Sequence, residues 1–355
     1  MLTINQFKKF IKTTIEVLLL ICLILIGMLE FKNFFKEPSV LVLQSKFDGT
    51  KDRIIKTKDS LREFETIFEA PSIQNFQATK NQLLVVTGQK DKESNLQLVG
   101  IKTKEVKKID YPGKFINEMV SGGDKFVMLV EDIKNEKRSY KSKLAMIVGD
   151  NPQVQDLNPQ FLASTAYSIF INPSGSLLVF SGVANGQYIV DLDSPESVTT
   201  LNNDNKLLLG FINDKQLAFA NFLAVDGVRV EITDLDTDQS IFYPLGNEKY
   251  NQFAISGDGK TINYTQSKEI NGTRVNGLKS FNNPNTYFIP NFSFENIQLD
   301  PTSEYLLFEK TNIDNLVSST KRYEYSPNKS FSIYHLKKTY LSANRIEGTK
   351  VIWAK

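Results

Sequence analysis

The sequence predicts an all-β, seven-bladed β-propeller preceded by one transmembrane α-helix, and three observations carry that expectation. A phrase made of a Gly-, Asn-, Asp- or Ser-rich turn followed at once by a short apolar strand returns about every 40 to 50 residues. A single continuous apolar run stands near the N-terminus. The last copy of the phrase breaks off after two strands, and two unmatched strands lie just beyond the apolar run.

Taken in order, the chain opens with a basic stretch, 1–12, carrying Lys8, Lys9 and Lys12. The apolar run IEVLLLICLILIGMLEF occupies 15–31 and sets the expected helix at 13–31. At about 1.5 Å per residue such a helix is just long enough to cross a bilayer core. No small-x-small site follows it, since the exit reads Met28, Leu29, Glu30, Phe31, so a retained anchor is expected rather than a cleaved signal peptide. Only Lys32 and Lys36 follow closely, and the bias places the N-terminus in the cytoplasm and the bulk of the chain outside it. A juxtamembrane linker, 32–38, then leads into a propeller domain, 39–355.

The phrase at Thr14, Ile15, Glu16, Val17, Leu18 and Leu19, with Ile26 and Gly27 further on, resembles the T-x-I-E-L-L…I-G start of type IV pilins. That resemblance implies a pilus- or secretion-associated subunit as one alternative. The pilin Gly and aromatic around the cleavage point are replaced by Ile11 and Lys12, and Pro38 would stop the long pilin helix.

Composition narrows the function classes. With 41% hydrophobic and 23% charged residues in 355, the chain can bury a large core. Residues 1–36 hold five Lys against two Glu, a surplus of +3, so the rest carries about −1 of the total of +2. A near-neutral domain is not the strongly basic body of a nucleic-acid binder, and no nucleic-acid partner is expected. The sole Cys, Cys22, lies in the apolar run, which leaves the outer domain without disulfide or thiol chemistry.

The repeats read NPSGSLLVFSG at 172–182, SGDGKTINYTQ at 256–266 and DPTSEYLLFEK at 300–310. Weaker copies are TKNQLLVVTGQ at 79–89, SGGDKFVMLVE at 121–131 and INDKQLAFANF at 212–222. Turn markers at Asn81, Asp124, Gly175, Asp214, Asp258 and Ser303 are spaced by 43, 51, 39, 44 and 45 residues, the period of a four-stranded blade. Alternating runs downstream, such as LQLVGIK at 96–102, KLAMIVG at 143–149, QYIVDLD at 187–193 and VRVEITDLD at 228–236, predict third strands. More polar runs such as EVKKIDY at 105–111 and SVTTL at 197–201 predict outer strands.

At the C-terminus ANRIEGTKVIWA, 343–354, predicts an inner and a second strand. The missing outer half is expected at the other end, with SVLVLQS at 39–45 as third strand and RIIKTK at 53–58 as fourth, giving six contiguous blades and one composite. The segment SLREFETIFEA, 60–70, has Ser60 and Glu63 at capping-box spacing and Leu61, Phe64 and Phe68 on one helical face, so it reads as a short helix or as a loop or strand extension.

The phrases AISGDGKTINYTQ and INPSGSLLVFSG with the later YIVDLD are similar to the F-S-P-D-G-K-x-I-A-F…I-x-x-x-D-L-D pattern of WD40-like repeats of the TolB type. The resemblance implies a β-propeller over roughly 39–355, and speaks for fold rather than biochemistry.

Catalysis has little material. One His, His335, lies in a predicted third strand; a Ser-His-Asp triad, a Cys-His pair or a His-rich metal site would each have to run through it alone, and a structural or solvent-facing His is expected. Asp191, Asp193, Asp234, Asp236 and Asp238 cluster in DLD and DLDTD, where Asp caps tight turns by accepting backbone N–H groups. No catalytic residue, metal site or cofactor is therefore expected, with a carboxylate- or metal-dependent propeller hydrolase or lactonase as the enzymatic alternative.

The loops between second and third strands differ most, at 131–143, 266–277 and 309–330. The first interleaves Lys137, Arg138 and Lys141 with Tyr140, and the last sets Lys321 and Arg322 beside Tyr323 and Tyr325. Arg and Tyr anchor protein interfaces, so these eight residues form the expected binding face. Glu136 and Glu324 flank the basic runs, as in an ordinary solvated loop. The expected partners are the membrane through 13–31 and a protein or envelope polymer on the loop face.

Overall fold

A computed structural model describes residues 39–57, 64–88, 93–134, 137–149, 151–157, 168–181, 186–201, 206–225, 227–247, 249–270, 273–281, 292–300, 302–312, 329–335, 340–341 and 346–354. The chain divides into two units, 1–38 and 39–355. The expected basic segment, helix and linker of the first unit lie outside the described residues.

The second unit is a seven-bladed β-propeller of antiparallel sheets. The chain enters through β1 (Val40–Gln44), β2 (Asp52–Thr57) and β3 (Phe64–Ala70). Blade one is β4 (Ile73–Ala78), β5 (Gln82–Thr87), β6 (Asn95–Gly100) and β7 (Val106–Ile109). Blade two is β8 (Lys114–Gly122), β9 (Lys125–Lys134), β10 (Lys137–Val148) and β11 (Asn151–Leu157). Blade three is β12 (Ser168–Ile171), β13 (Leu177–Ser181), β14 (Gln187–Asp191) and β15 (Val198–Leu201). Blade four is β16 (Lys206–Phe211), β17 (Gln216–Asn221), β18 (Val228–Asp234) and β19 (Ser240–Gly246).

Blade five shows β20 (Tyr250–Ile255), β21 (Ile262–Ile270) and β22 (Thr273–Ser280) among the described residues. Blade six is β23 (Phe292–Leu299), β24 (Tyr305–Asn312) and β25 (Lys329–His335), with an outer strand split into β26 (Tyr340–Leu341) and β27 (Ile346–Gly348). Last comes β28 (Lys350–Trp353), which pairs with β1. The closing sheet runs β28-β1-β2-β3.

The ring is therefore composite, but closed by one C-terminal strand and three N-terminal ones rather than two and two. Ile346–Gly348, from the strand expected to open the last blade, pairs with β25 and completes blade six instead. Burial explains the shift: Ile54 and Ile55 of β2 are both fully buried, as suits an inner position, whereas β3 leaves Phe64, Glu65 and Glu69 exposed. The helix considered at 60–70 is corrected with it. Residues 64–70 are β3, where alternation and tertiary pairing to β2 override the helical spacing; 60–63 lie outside the described residues.

Second strands read as unbroken apolar runs because both their faces are buried. In β9, Phe126, Met128 and Val130 pack toward blade one, while Val127 and Leu129 pack toward blade three. Seven apolar clusters of this kind fill the seven seams, and the seam between blade six and the closing sheet holds Val40, Val42, Leu307, Ile333, Val351 and Trp353.

One seam departs from the rule. Between blades five and six, Asn263 and Thr265 of β21 share a face with Ala254 and Leu278, and Ser332 of β25 stands opposite Phe308. All three are fully buried, and both amide atoms of Asn263, the Thr265 Oγ1 and the Ser332 Oγ have no protein partner. Each such group costs about 1–3 kcal/mol when it is buried without a partner.

Candidate functional site

The turn phrase is a capping device. In its three best copies the first side chain accepts the N–H five residues on: Leu177 to Asn172 Oδ1 at 2.9 Å, Thr261 to Ser256 Oγ at 2.8 Å and Tyr305 to Asp300 Oδ1 at 2.7 Å. The same pairs are bonded through their main chains. Asx and Ser residues are selected here because their short oxygens reach the turn's own backbone.

These turns also join blade to blade. Ser121 donates to Ala78 O, Gly123 N to Pro173 O, Ser174 N to Asp214 Oδ1, Asn213 Nδ2 to Gly257 O, and Gly257 N to Ser303 Oγ. Gln298 Nε2 continues to Val351 O, and Lys350 Nζ to Asn75 Oδ1 and Phe76 O. A belt of hydrogen bonds thus links every blade to the next. At its tightest point a Cβ on Gly123, which has φ +56°, would lie 2.1 Å from Ser174 O, so only Gly fits.

The belt rings a cavity of about 770 Å³ in the central channel. It is lined by the last residues of five inner strands, among them Ala78, Val120, Phe170, Phe211 and Leu299, and by Lys350, Ile352 and Trp353 of β28. Lys350 Nζ lies 2.6 Å from Asn75 Oδ1 and 2.8 Å from Phe76 O, and 5.3 Å from the centre of the Phe76 ring. Burial pushes its pKa down to about 8, while Glu118 pulls it up. The Glu118 carboxyl is in turn pushed up by burial, against the pull of Lys350 and a bond from the Ile169 backbone. Sequence reading missed this site. Its only local signal is a Lys opening an otherwise apolar inner strand, KVIW.

Strand direction defines two faces. Inner strands run toward the 1–2 turns, so those turns and the 3–4 turns share one face, while 2–3 connections and blade-to-blade crossings share the other. Of 131–143, expected as a loop, the described residues 131–134 and 137–143 are instead strands of β9 and β10, paired out to Lys134 and Lys137, with a bulge between Arg138 and Ser142. Of 266–277, the described residues 266–270 and 273–277 likewise belong to β21 and β22, paired out to Ile270 and Thr273. Lys137, Arg138, Tyr140 and Lys141 thus lie along β10 on the hairpin face. Lys321, Arg322, Tyr323 and Tyr325 lie outside the described residues. At the hairpin's base Lys114 and Lys143 both reach Asp132, and the Lys114 bond, chiefly, holds its carboxyl below the usual range.

The Asp cluster behaves as turn caps. Asp234 Oδ1 accepts from Asp236 N, Thr237 N and Thr237 Oγ1, and Asp191 Oδ1 from Asp193 N. Asp193 and Asp236 pair with Lys125 and Lys215, and Asp238 takes φ +55° at the turn. His335 ends β25 opposite Tyr305 and Tyr340.

No family model and no curated protein matches this chain. Among solved structures, it is similar to the β-propeller domain of the Trilobed protease from Pyrococcus furiosus, described as having an open velcro topology. That likeness has a TM-score of 0.57 at 10% identity, covering 87% of this chain and 91% of that one. Similar too are TolB from Acinetobacter baumannii (TM-score 0.45, 12% identity, 90% and 67% covered) and the C-terminal WD40 domain of Sif2 (0.44, 10%, 73% and 79%). At these identities the likeness is one of fold.

Proposed function

We propose that this protein is a membrane-anchored, extracytoplasmic propeller that serves as a binding scaffold for a protein or an envelope polymer. The observation that carries the reading is the placement of the two ends of the ring. Ser39, where the chain enters, and Ala354 are bonded to each other at the turn face, by Ala354 N to Ser39 O. The ring is thereby closed at the point where it follows the expected anchor in the sequence, and its β9–β10 and β21–β22 hairpins are the surface it offers to a partner.

The scaffold reading takes support from the channel cavity, which has no carboxylate among the described residues that line it. Among the described residues no group of three or more His, Cys, Asp or Glu is set to hold a metal ion. The Asp residues that sequence places together are engaged as turn caps and in ion pairs.

Alanine replacement of Arg138, Tyr140, Arg322, Tyr323 and Tyr325 together is expected to lower partner capture from solubilised membranes at least tenfold, with the thermal midpoint unchanged. Anchors of this type each carry about 1–2 kcal/mol or more at protein interfaces. Capture at the unaltered level by the folded variant places the binding face elsewhere.

A further inference from the structure

We propose that the turn-face half of the central channel is a binding site for an apolar carboxylate, with the Lys350 ammonium as its counter-ion. The cavity is of the size that encloses a small organic ligand, and its wall is mostly aromatic and aliphatic: Phe170, Leu209, Phe211, Ile352 and Trp353 contribute. Its polar side chains are already committed to backbone. Gln77 donates to Met119 O, Ser121 to Ala78 O and Gln298 to Val351 O, which holds these side chains in place against the backbone.

Lys350 is the exception in this wall. Its ammonium has three donors; two go to neutral acceptors, Asn75 Oδ1 and Phe76 O. No carboxylate among the described residues stands within 4.0 Å of it. Glu118 acts on it only through space, from a carboxyl whose own charged form is disfavoured by burial. A desolvated cation in an apolar wall is costly until an anion joins it. The third donor and the absence of a described carboxylate in direct contact are what a ligand carboxylate would answer, while the aromatic walls take its apolar body.

Depth fits as well. Lys350 bonds at the level of Asn75 and Phe76, one step inward from Gln77 and Ala78 at the lip of the cavity. A ligand entering from the turn face would bring its carboxylate to the ammonium and leave its tail among Phe170, Phe211 and Trp353. This site is on the opposite face from the hairpins, so it stands or falls independently of the partner face.

The chain carries one Trp, and Trp353 is part of the cavity wall, which makes its emission a direct reporter of occupancy. Two acids that differ in source are titrated against the intact protein, decanoate for an acyl chain and N-acetyl-Leu-Phe for a peptide C-terminus, each beside its neutral amide. At least one acid is expected to shift Trp353 emission with an affinity tenfold or more above its own amide, and the acid that does so identifies the source. In Lys350→Met the acid and the amide are expected to bind alike. The proposal is overturned if neither acid outbinds its amide, or if the advantage survives in folded Lys350→Met. The acid-to-amide comparison on the unaltered chain decides the matter even where the variant fails to fold.

Discussion

Deletion of residues 350–355 is expected to remove the cooperative thermal transition of the propeller or to lower its midpoint by more than about 15 °C. Among the described residues β28 is the C-terminal strand that completes the closing sheet: it pairs with β1 from Leu43 opposite Lys350 to Val40 opposite Trp353. Without it the inner edge of β1 is bare, and the seam to blade six loses Val351 and Trp353. Truncating a buried Trp alone costs about 3–5 kcal/mol, against a total stability of about 5–15 kcal/mol. The belt is cut at the same stroke, because Gln298 loses its acceptor on Val351 and Asn75 its donor on Lys350. Circular dichroism melts read the result, and a shift under about 3 °C would mean that the ring does not depend on this closure.

Asp300→Ala is expected to cost about 3–5 kcal/mol in a urea titration, far more than a turn substitution normally does, since charge-assisted bonds are worth about 1.5–3 kcal/mol each. The buried Asp300 carboxylate accepts from the backbone N–H of Thr302, Glu304 and Tyr305 and from the Thr302 hydroxyl. Asp300→Asn keeps an acceptor oxygen and should lose less than half as much. Asp236→Ala, in an exposed turn and paired only with exposed Lys215, is expected to change stability by less than about 1 kcal/mol. Equal effects at positions 236 and 300 would refute the capping role.

Much of this architecture is legible locally because each blade repeats one problem. A second strand buried on both faces must be apolar throughout, and the turn before it must satisfy its own backbone; LLVFS after Asn172 and YLLFEK after Asp300 state both conditions in the sequence. The closing sheet was harder. RIIKT carries charged residues at both ends and resembles an outer strand, yet Ile54 and Ile55 are sandwiched between β1 and β3. The true outer strand, FETIFEA, also satisfies helical spacing, and only its pairing with β2 decides between the two.

Hairpins masqueraded as loops for a related reason. KRSYKSK carries no apolar alternation, so its strand character comes from pairing with β9 rather than from composition. The channel site left almost no trace. Gln77, Phe170, Phe211, Gln298 and Lys350 come from five blades and share no spacing, and only ring closure brings them together. A lysine opening KVIW is unremarkable in a list of residues, and becomes informative once β28 is an inner strand.

The claim at the centre of this account is that the propeller is held outside the cytoplasm, where its hairpin face is open to a partner. Val225, fully exposed on the β17–β18 connection of that face, offers the most direct test. Cys22 is the sole cysteine, so Val225→Cys in a Cys22→Ser background carries one thiol. In intact cells a membrane-impermeant maleimide is expected to label it as fully as in permeabilised cells. Labelling that appears only after permeabilisation would place the propeller inside the cytoplasm and contradict the account.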